Sequence, residues 1–218
     1  MLDWSLIDTV LLDMDGTLLD LNFDNHFWQE FVPQRFALLH GLELLEAKRQ
    51  LQPRFKAMEG RLEWYCLDYW SNELALDIAG LKQEVAGLIA VHPHVTEFLD
   101  AVRSSGRHLL LVTNAHRDSL ELKMEKTCLQ AFFDAIISSH DFGLAKEQAG
   151  FWQTLQDHHL FEKPRCLLVD DSLSVLRSAR AFGIAHLVSI SRPDSRAPKR
   201  DITEFPAIED FRALMPGL

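Results

Sequence analysis

Five short apolar runs, separated by stretches of helical periodicity, constrain this chain more than any other feature. They are Val10-Leu11-Leu12, His108-Leu109-Leu110-Leu111-Val112-Thr113, Ala135-Ile136-Ile137-Ser138, Cys166-Leu167-Leu168-Val169-Asp170 and His186-Leu187-Val188-Ser189-Ile190. Continuous apolar runs of this length read as strands buried on both faces, the habit of parallel sheets. Helical spacing of apolar residues covers 95–104, 120–127 and 174–182. Strand and helix in alternation predict βαβ units, and therefore an α/β fold built on a doubly wound parallel sheet. Gly183 follows the last of these helices and is placed to end it in the left-handed conformation.

Residues 19–92 break the alternation. They hold no convincing strand, are rich in Leu, Glu, Gln and Arg, and carry apolar pairs at helical spacing such as Phe27/Phe31 and Leu42/Leu45. The spacing predicts about four helices, with Pro33 and Pro53 at helix starts or interruptions. The expected organisation is thus a core of 1–18 and 93–218 with an all-helical insertion at 19–92, entered and left through 20–24 and 91–94. After the last strand, 192–206 reads as loop and 208–215 as a short terminal helix.

Composition narrows the function classes. No apolar run reaches the length of a membrane span, and no basic N-terminal region precedes a long apolar stretch, which argues against a signal peptide. Cys66, Cys128 and Cys166 are far apart with no C-x-x-C, so they read as reduced packing residues of a cytoplasmic protein. The net charge of −10 disfavours nucleic acid or an anionic membrane as partner. A small phosphorylated substrate would need locally placed cations.

The first apolar run ends in Asp13-Met14-Asp15-Gly16-Thr17-Leu18. In extended backbone Asp13 and Asp15 project the same way. Two carboxylates so placed need a cation, a shared proton or pKa values driven apart. Gly16 permits a turn that other residues resist, and Thr17 offers a hydroxyl and an N–H to an anion. Three further strand ends carry chemistry. Thr113-Asn114 places a hydroxyl at the end of a buried strand. Lys146 lies in the segment after the third run, followed by Glu147. Asp170-Asp171-Ser172 closes the fourth run with two acids that would be costly to bury without a cation, although Asp171 or Ser172 also suits a helix N-cap, and Asp171 points to the other face if the backbone stays extended. In a parallel sheet these ends converge where ligands bind.

The D-x-D-G-T string, with the three later signals in order, resembles the haloacid dehalogenase superfamily, most of whose members are Mg²⁺-dependent phosphatases. The resemblance implies a Rossmann-like core with a helical cap inserted just after the first motif, the C1 arrangement. It implies Asp13 as nucleophile and Asp15 as general acid and base. It implies Thr113, Asn114, Lys146, Gly16 and Thr17 around the phosphate. Mg²⁺ is implied on the Asp13 and Asp170 carboxylates and the Asp15 carbonyl, with Asp171 binding a metal-held water or anchoring a loop. The family pattern has Pro directly after the lysine, where this chain has Glu147.

The insertion is aromatic, above all in 62–70. Trp28, Trp64, Tyr65 and Tyr69, with Asp24 and Asn25, are candidates to meet a substrate, because aromatic faces stack on bases; their spacing of three and four is equally that of a helical core. The strings 19–28 and 64–71, with Asn114-Ala115-His116 and Arg192-Pro193-Asp194-Ser195, are similar to the bacterial GMP/IMP 5′-nucleotidase branch of the family. The resemblance therefore implies a purine 5′-nucleotidase acting through an aspartyl-phosphate, as monomer or homodimer. A sugar-phosphate phosphatase or phosphomutase on the same scaffold, and a non-catalytic phosphate-binding regulator, stay open as alternatives.

Overall fold

The computed structural model describes residues 2–216. Six parallel strands form one sheet in the order β3-β2-β1-β4-β5-β6. They are β1 (Thr9–Leu12), β2 (His108–Thr113), β3 (Ala135–Ser138), β4 (Cys166–Asp170), β5 (His186–Ile190) and β6 (Ala207–Ile208). β1 lies between β2 and β4, with Leu11 opposite Leu110 on one side and Leu168 on the other. Its four residues are all buried, which is why the run shows no apolar–polar alternation. Chain order reverses at β1, and so opens a crevice at the carboxyl ends of β1, β2 and β4.

Successive side chains of β1 serve different layers. Val10 and Leu12 pack with Val95, Phe98, Leu99 and Val102 of α7 (Val95–Ser104) and Leu120 and Met124 of α8 (Arg117–Thr127). Leu11 packs on the opposite face with Phe151 and Leu155 of α9 (Phe151–His158) and Val175, Leu176 and Ala179 of α10 (Leu173–Phe182). The α7 set falls at i, i+3, i+4 and i+7, one stripe of a helix. Gly183 ends α10 at φ 106°, in the left-handed region.

Between β1 and α7 the chain makes six α-helices, where the periodicity predicts about four: α1 (Asn22–His26), α2 (Val32–His40), α3 (Leu44–Met58), α4 (Leu62–Tyr65), α5 (Leu67–Leu74) and α6 (Ile78–Glu84). The excess arises because short helices follow one another with few spacer residues. A π-helical turn, Phe27–Phe31, joins α1 to α2. It lies where Pro33 has no N–H for the Gln29 carbonyl, so the helix widens instead of breaking. Pro53 sits inside α3, which runs through it. These helices own an apolar cluster of Phe27, Val32, Phe36, Leu51, Leu67, Trp70, Leu74 and Ile78. The connections in and out run side by side: Asp20 N donates to the Ala90 carbonyl at 2.9 Å and His92 N to the Leu18 carbonyl at 2.9 Å.

The C-terminal segment departs from the expected terminal helix. Ile208 belongs to the edge strand β6, and only a 3₁₀ turn, Phe211–Leu214, follows. The preceding loop is anchored: the Pro193 carbonyl accepts from Leu21 N at 2.8 Å, and Ser195 N donates to Asp20 Oδ1 at 3.0 Å. Among the described residues, no helix is long and apolar enough to cross a membrane.

Candidate active site

At the carboxyl end of β1, Lys146 is the hub. It is 1% exposed, and its Nζ donates to Asp13 Oδ1 at 2.5 Å, Asp170 Oδ2 at 2.7 Å and the Val112 carbonyl at 3.0 Å. Burial works against its charge, but Asp13 and Asp170 outweigh that cost and raise its pKa. Lys146 N donates to Asn114 Oδ1 at 2.9 Å, so the strand-end amide fixes the lysine's backbone. Glu147, in place of the family's Pro, accepts from Asn114 Nδ2 at 2.9 Å and from Tyr65 OH at 2.8 Å. That residue ties the helical insertion to β2.

Thr17 Oγ1 donates to Asp13 Oδ2 at 3.2 Å and accepts from Asp171 N at 3.1 Å. Gly16 turns at φ 79°, and a Cβ there would lie 2.8 Å from Asp171 Cγ and 3.0 Å from Pro193 Cβ. Only glycine fits both the conformation and the space. Thr113 is buried, and its Oγ1 accepts from Ala115 N at 3.0 Å, shaping the loop that follows.

Asp171 corrects an expectation. Continued extension would turn it away from Asp170, but β4 ends at Asp170 and the chain bends there. Single carboxylate oxygens of Asp13, Asp170 and Asp171 lie within 4.8 Å of one another. Burial and the nearby Asp13 raise Asp171 to about 7, although Arg200, at 3.2 Å, opposes the shift. Burial likewise pushes Asp170 well above the usual carboxylate range. All the donors in this trio are oxygen, the set that hard Mg²⁺ takes. Carboxylates that burial pushes towards the neutral form are those a divalent cation would restore to charge.

Asp15 does not share the Lys146 cradle. Its Oδ1 accepts from Lys123 Nζ at 2.6 Å, and Lys123 Nζ also donates to Asp24 Oδ2 at 2.6 Å. Asp24 Oδ1 accepts from Lys82 Nζ at 2.6 Å. The result is a chain of alternating charge, Asp15–Lys123–Asp24–Lys82, running from the strand end into the insertion. Burial raises Asp15 to about 6, with Asp24 and Asp13 adding to the shift and Lys123 opposing it. Burial also works against the Asp24 charge, but Lys123 and Lys82 hold its carboxyl well below the usual range. Lys82 and Lys123 are 3% and 1% exposed, and neither stands out in the motif pattern. One signal was available for Lys123. It falls on the buried stripe of α8, with Ser119, Leu120 and Met124, where an unpaired ammonium would be costly.

A cavity of about 690 Å³ opens beside Asp15. Asp24, Asn25, Trp28, Trp64, Tyr65, Lys82 and Lys123 are among its walls, and Tyr69 is not. The tryptophans also hold the insertion together: Trp28 lies 5.9 Å from both Trp64 and Trp70, ring centre to ring centre. Trp70 is buried, and its Nε1 donates to the Trp64 carbonyl at 2.9 Å. Asn25 Nδ2 donates to Asp194 Oδ2 at 2.7 Å, which joins α1 to the C-terminal loop. The cysteines are not uniform packing residues. Cys166 is buried, Cys128 is exposed at the end of α8, and Cys66 is half-buried near two histidines.

Lysine and two strand-end aspartates around an aspartate nucleophile candidate, at the switch point of a parallel sheet, define a class as well as a geometry. The chain belongs to the haloacid dehalogenase-like hydrolases, whose family model matches residues 7–183. It is 39% identical over 215 residues to the GMP/IMP nucleotidase YrfG of Escherichia coli (strain K12), covering 99% of this chain and 97% of that protein. It is 24% identical over 215 residues to a phosphoglycolate phosphatase of Agrobacterium fabrum, covering 95% of this chain and 91% of that one. The fold is shared with the crystal structure of a phosphatase of this family from Thermococcus onnurineus, at TM-score 0.79 and 22% identity over 95% of this chain and 96% of that one.

Proposed function

We propose that this hydrolase is a Mg²⁺-dependent purine 5′-nucleotidase that cleaves GMP or IMP through a phosphorylated Asp13. The observation that carries the reading is the cavity walled by Asp15, Trp28, Trp64 and Tyr65, whose Asp15 lies two residues along the chain from Asp13 of the Asp13–Lys146–Asp170 cluster. The cavity's volume falls within the ~300–1,000 Å³ typical of small-molecule sites. The 39% identity to a GMP/IMP nucleotidase points to the same substrate class. The free thiols suit a reducing cytoplasm.

Charge supports the metal. Five carboxylates, Asp13, Asp15, Asp24, Asp170 and Asp171, face four cations, Lys82, Lys123, Lys146 and Arg200. With the five ionised, a phosphate dianion entering beside them needs more positive charge than these four supply. Asp13, Asp170 and the Asp15 carbonyl would hold Mg²⁺, with Asp171 on a metal-held water or on the Arg200 loop. The ion would supply positive charge against the phosphoryl oxygens.

The residues divide the remaining work. Thr17 and Lys146 fix the two oxygens of Asp13 separately, which orients the carboxylate. An Asp13 oxygen attacks phosphorus, and the bond to the sugar oxygen breaks. Asp15 gives its proton to the departing alkoxide. Water then attacks phosphorus, Asp15 takes the proton back, and phosphate leaves with Asp13 restored. A carboxyl raised to about 6 exchanges a proton more readily near neutrality than an ordinary aspartate. Phosphate release measured over IMP, GMP, phosphoglycolate and hexose phosphates, with and without Mg²⁺, tests the reading. The expected result is Mg²⁺-dependent release, highest from IMP and GMP, and abolished in Asp13→Asn. Preference for hexose phosphates would overturn the substrate, and full activity of a folded Asp13→Asn protein would overturn the nucleophile.

A further inference from the structure

Away from the carboxylate cluster, three segments bring soft donors together. Cys66 lies between α4 and α5, in the helical insertion. His116 precedes α8, after β2, and His140 lies in the 3₁₀ turn Ser139–Asp141 after β3. Cys66 Sγ and a ring nitrogen of each histidine lie within 4.8 Å of one another. The two rings meet edge to face, with centres 5.1 Å apart.

An independent observation points to a missing ligand. His140 Nε2 is buried and has no hydrogen-bond partner among the described residues. Buried polar atoms are almost always satisfied, and an orphan at a cluster of donors marks the place of a water or an ion. His116 Nδ1 accepts from Asp118 N at 3.4 Å, as the cap of α8, and its Nε2 lies 3.7 Å from the Asp68 carboxylate. Cys66 Sγ accepts from Tyr69 N at 3.4 Å, as the cap of α5.

We propose that Cys66, His116 and His140 form a second metal site, for zinc or another thiolate-seeking divalent ion, distinct from the Mg²⁺ site. One sulfur and two imidazoles are a poor match for Mg²⁺ and a good one for zinc. Ligand atoms around tetrahedral zinc stand about 3.3–3.8 Å apart, from bond lengths of ~2.0–2.3 Å. Side-chain rotation that shortens each spacing by at most about 1.5 Å reaches that geometry. Asp68, exposed beside His116, or a water completes the tetrahedron, and the Cys66 proton passes to solvent on binding. Because Cys66 belongs to the insertion and both histidines to loops of the sheet, the ion fastens one to the other at the rim of the cleft.

Cobalt(II) titration of the full-length protein in excess Mg²⁺ tests the site. The expected result is one equivalent of cobalt with the intense bands of tetrahedral coordination and a sulfur-to-cobalt absorption, displaced by zinc. Cys66→Ser should abolish the sulfur band, and His140→Ala should weaken cobalt at least tenfold, with circular dichroism confirming folded proteins. Asp170→Asn, which disables the proposed Mg²⁺ site, should leave the spectrum intact. A weak octahedral spectrum without a sulfur band, or equal affinity in both ligand variants, would overturn the proposal. Neither outcome bears on the nucleotidase reading.

Discussion

Asp24 bridges two buried ammonium groups, Lys82 and Lys123, and Asp24→Asn should show what that is worth. The substitution keeps the side chain's shape and removes the charge that Lys82 and Lys123 share. Lys123 still has Asp15 at 2.6 Å. Lys82 keeps only aromatic faces close by, Phe23 at 4.9 Å and Phe27 at 4.7 Å, and a more distant Asp15. Breaking a buried ion pair from one side typically costs about 3–5 kcal/mol. There is also a ceiling. Lys82 can instead give up its proton, and neutralising a lysine of pKa ~10.4 at pH 7 costs about 4.6 kcal/mol. We therefore expect a loss of about 3–4.6 kcal/mol at pH 7, or roughly 6–18 °C in Tm for a chain of this size. The ceiling falls to about 2 kcal/mol at pH 9, so the deficit of the variant must shrink as pH rises. On the acid side the sign runs the other way for the native protein. The Asp24 pKa is held down in the fold, so its stabilisation is present above pH ~4 and is lost as pH falls through the folded value. Adding Lys82→Met to Asp24→Asn removes the stranded ammonium and should restore much of the loss. Denaturant unfolding of the four proteins of this cycle at pH 5, 7 and 9 provides the measurement. A cost below about 1 kcal/mol at pH 7, or a deficit that does not shrink by pH 9, would refute the argument.

Other substitutions probe the remaining contacts. Gly16→Ala forces a Cβ against Asp171 and into a left-handed backbone, and should cost about 1–3 kcal/mol in a calorimetric melt while sharply reducing turnover. Tyr65→Phe removes the hydrogen bond to Glu147 and should cost about 0.5–1.5 kcal/mol by chemical denaturation. Lys123→Met strips the cation from Asp15, and initial rates should fall through kcat more than through KM. Chelation should abolish phosphate release and added Mg²⁺ restore it, a test independent of any substitution.

Much of the sheet can be read from the residues because parallel strands buried on both faces appear as unbroken apolar runs. The bounds of β2, β3, β4 and β5 coincide with four of those runs. The two-residue edge strand β6 has no such run, and the helices of the insertion are too short and close-set for periodicity to separate. Asp13 and Asp170 were accessible for the same reason as the strands, since polar groups at the ends of neighbouring buried strands must converge; Lys146, in the loop beyond β3, was accessible through the family resemblance. Asp171 was misoriented because the bend after β4 is set by Thr17, which accepts from Asp171 N across 154 residues.

The sequence by itself determined five of the six strands described and the order of the chemistry-bearing strand ends. Those follow from local periodicity and from the rule that parallel strands share one carboxyl edge. Only the tertiary structure decided which charges meet. Asp24 pairs with Lys82 and Lys123 across 58 and 99 residues, and Glu147 pairs with Tyr65 across 82. Cys66 reaches His116 and His140 in the same way. A buried ammonium and a solvated one look alike in a string of residues. What separates them is the packing of the insertion onto the sheet, which removes water and leaves each charge dependent on a partner from a distant part of the chain.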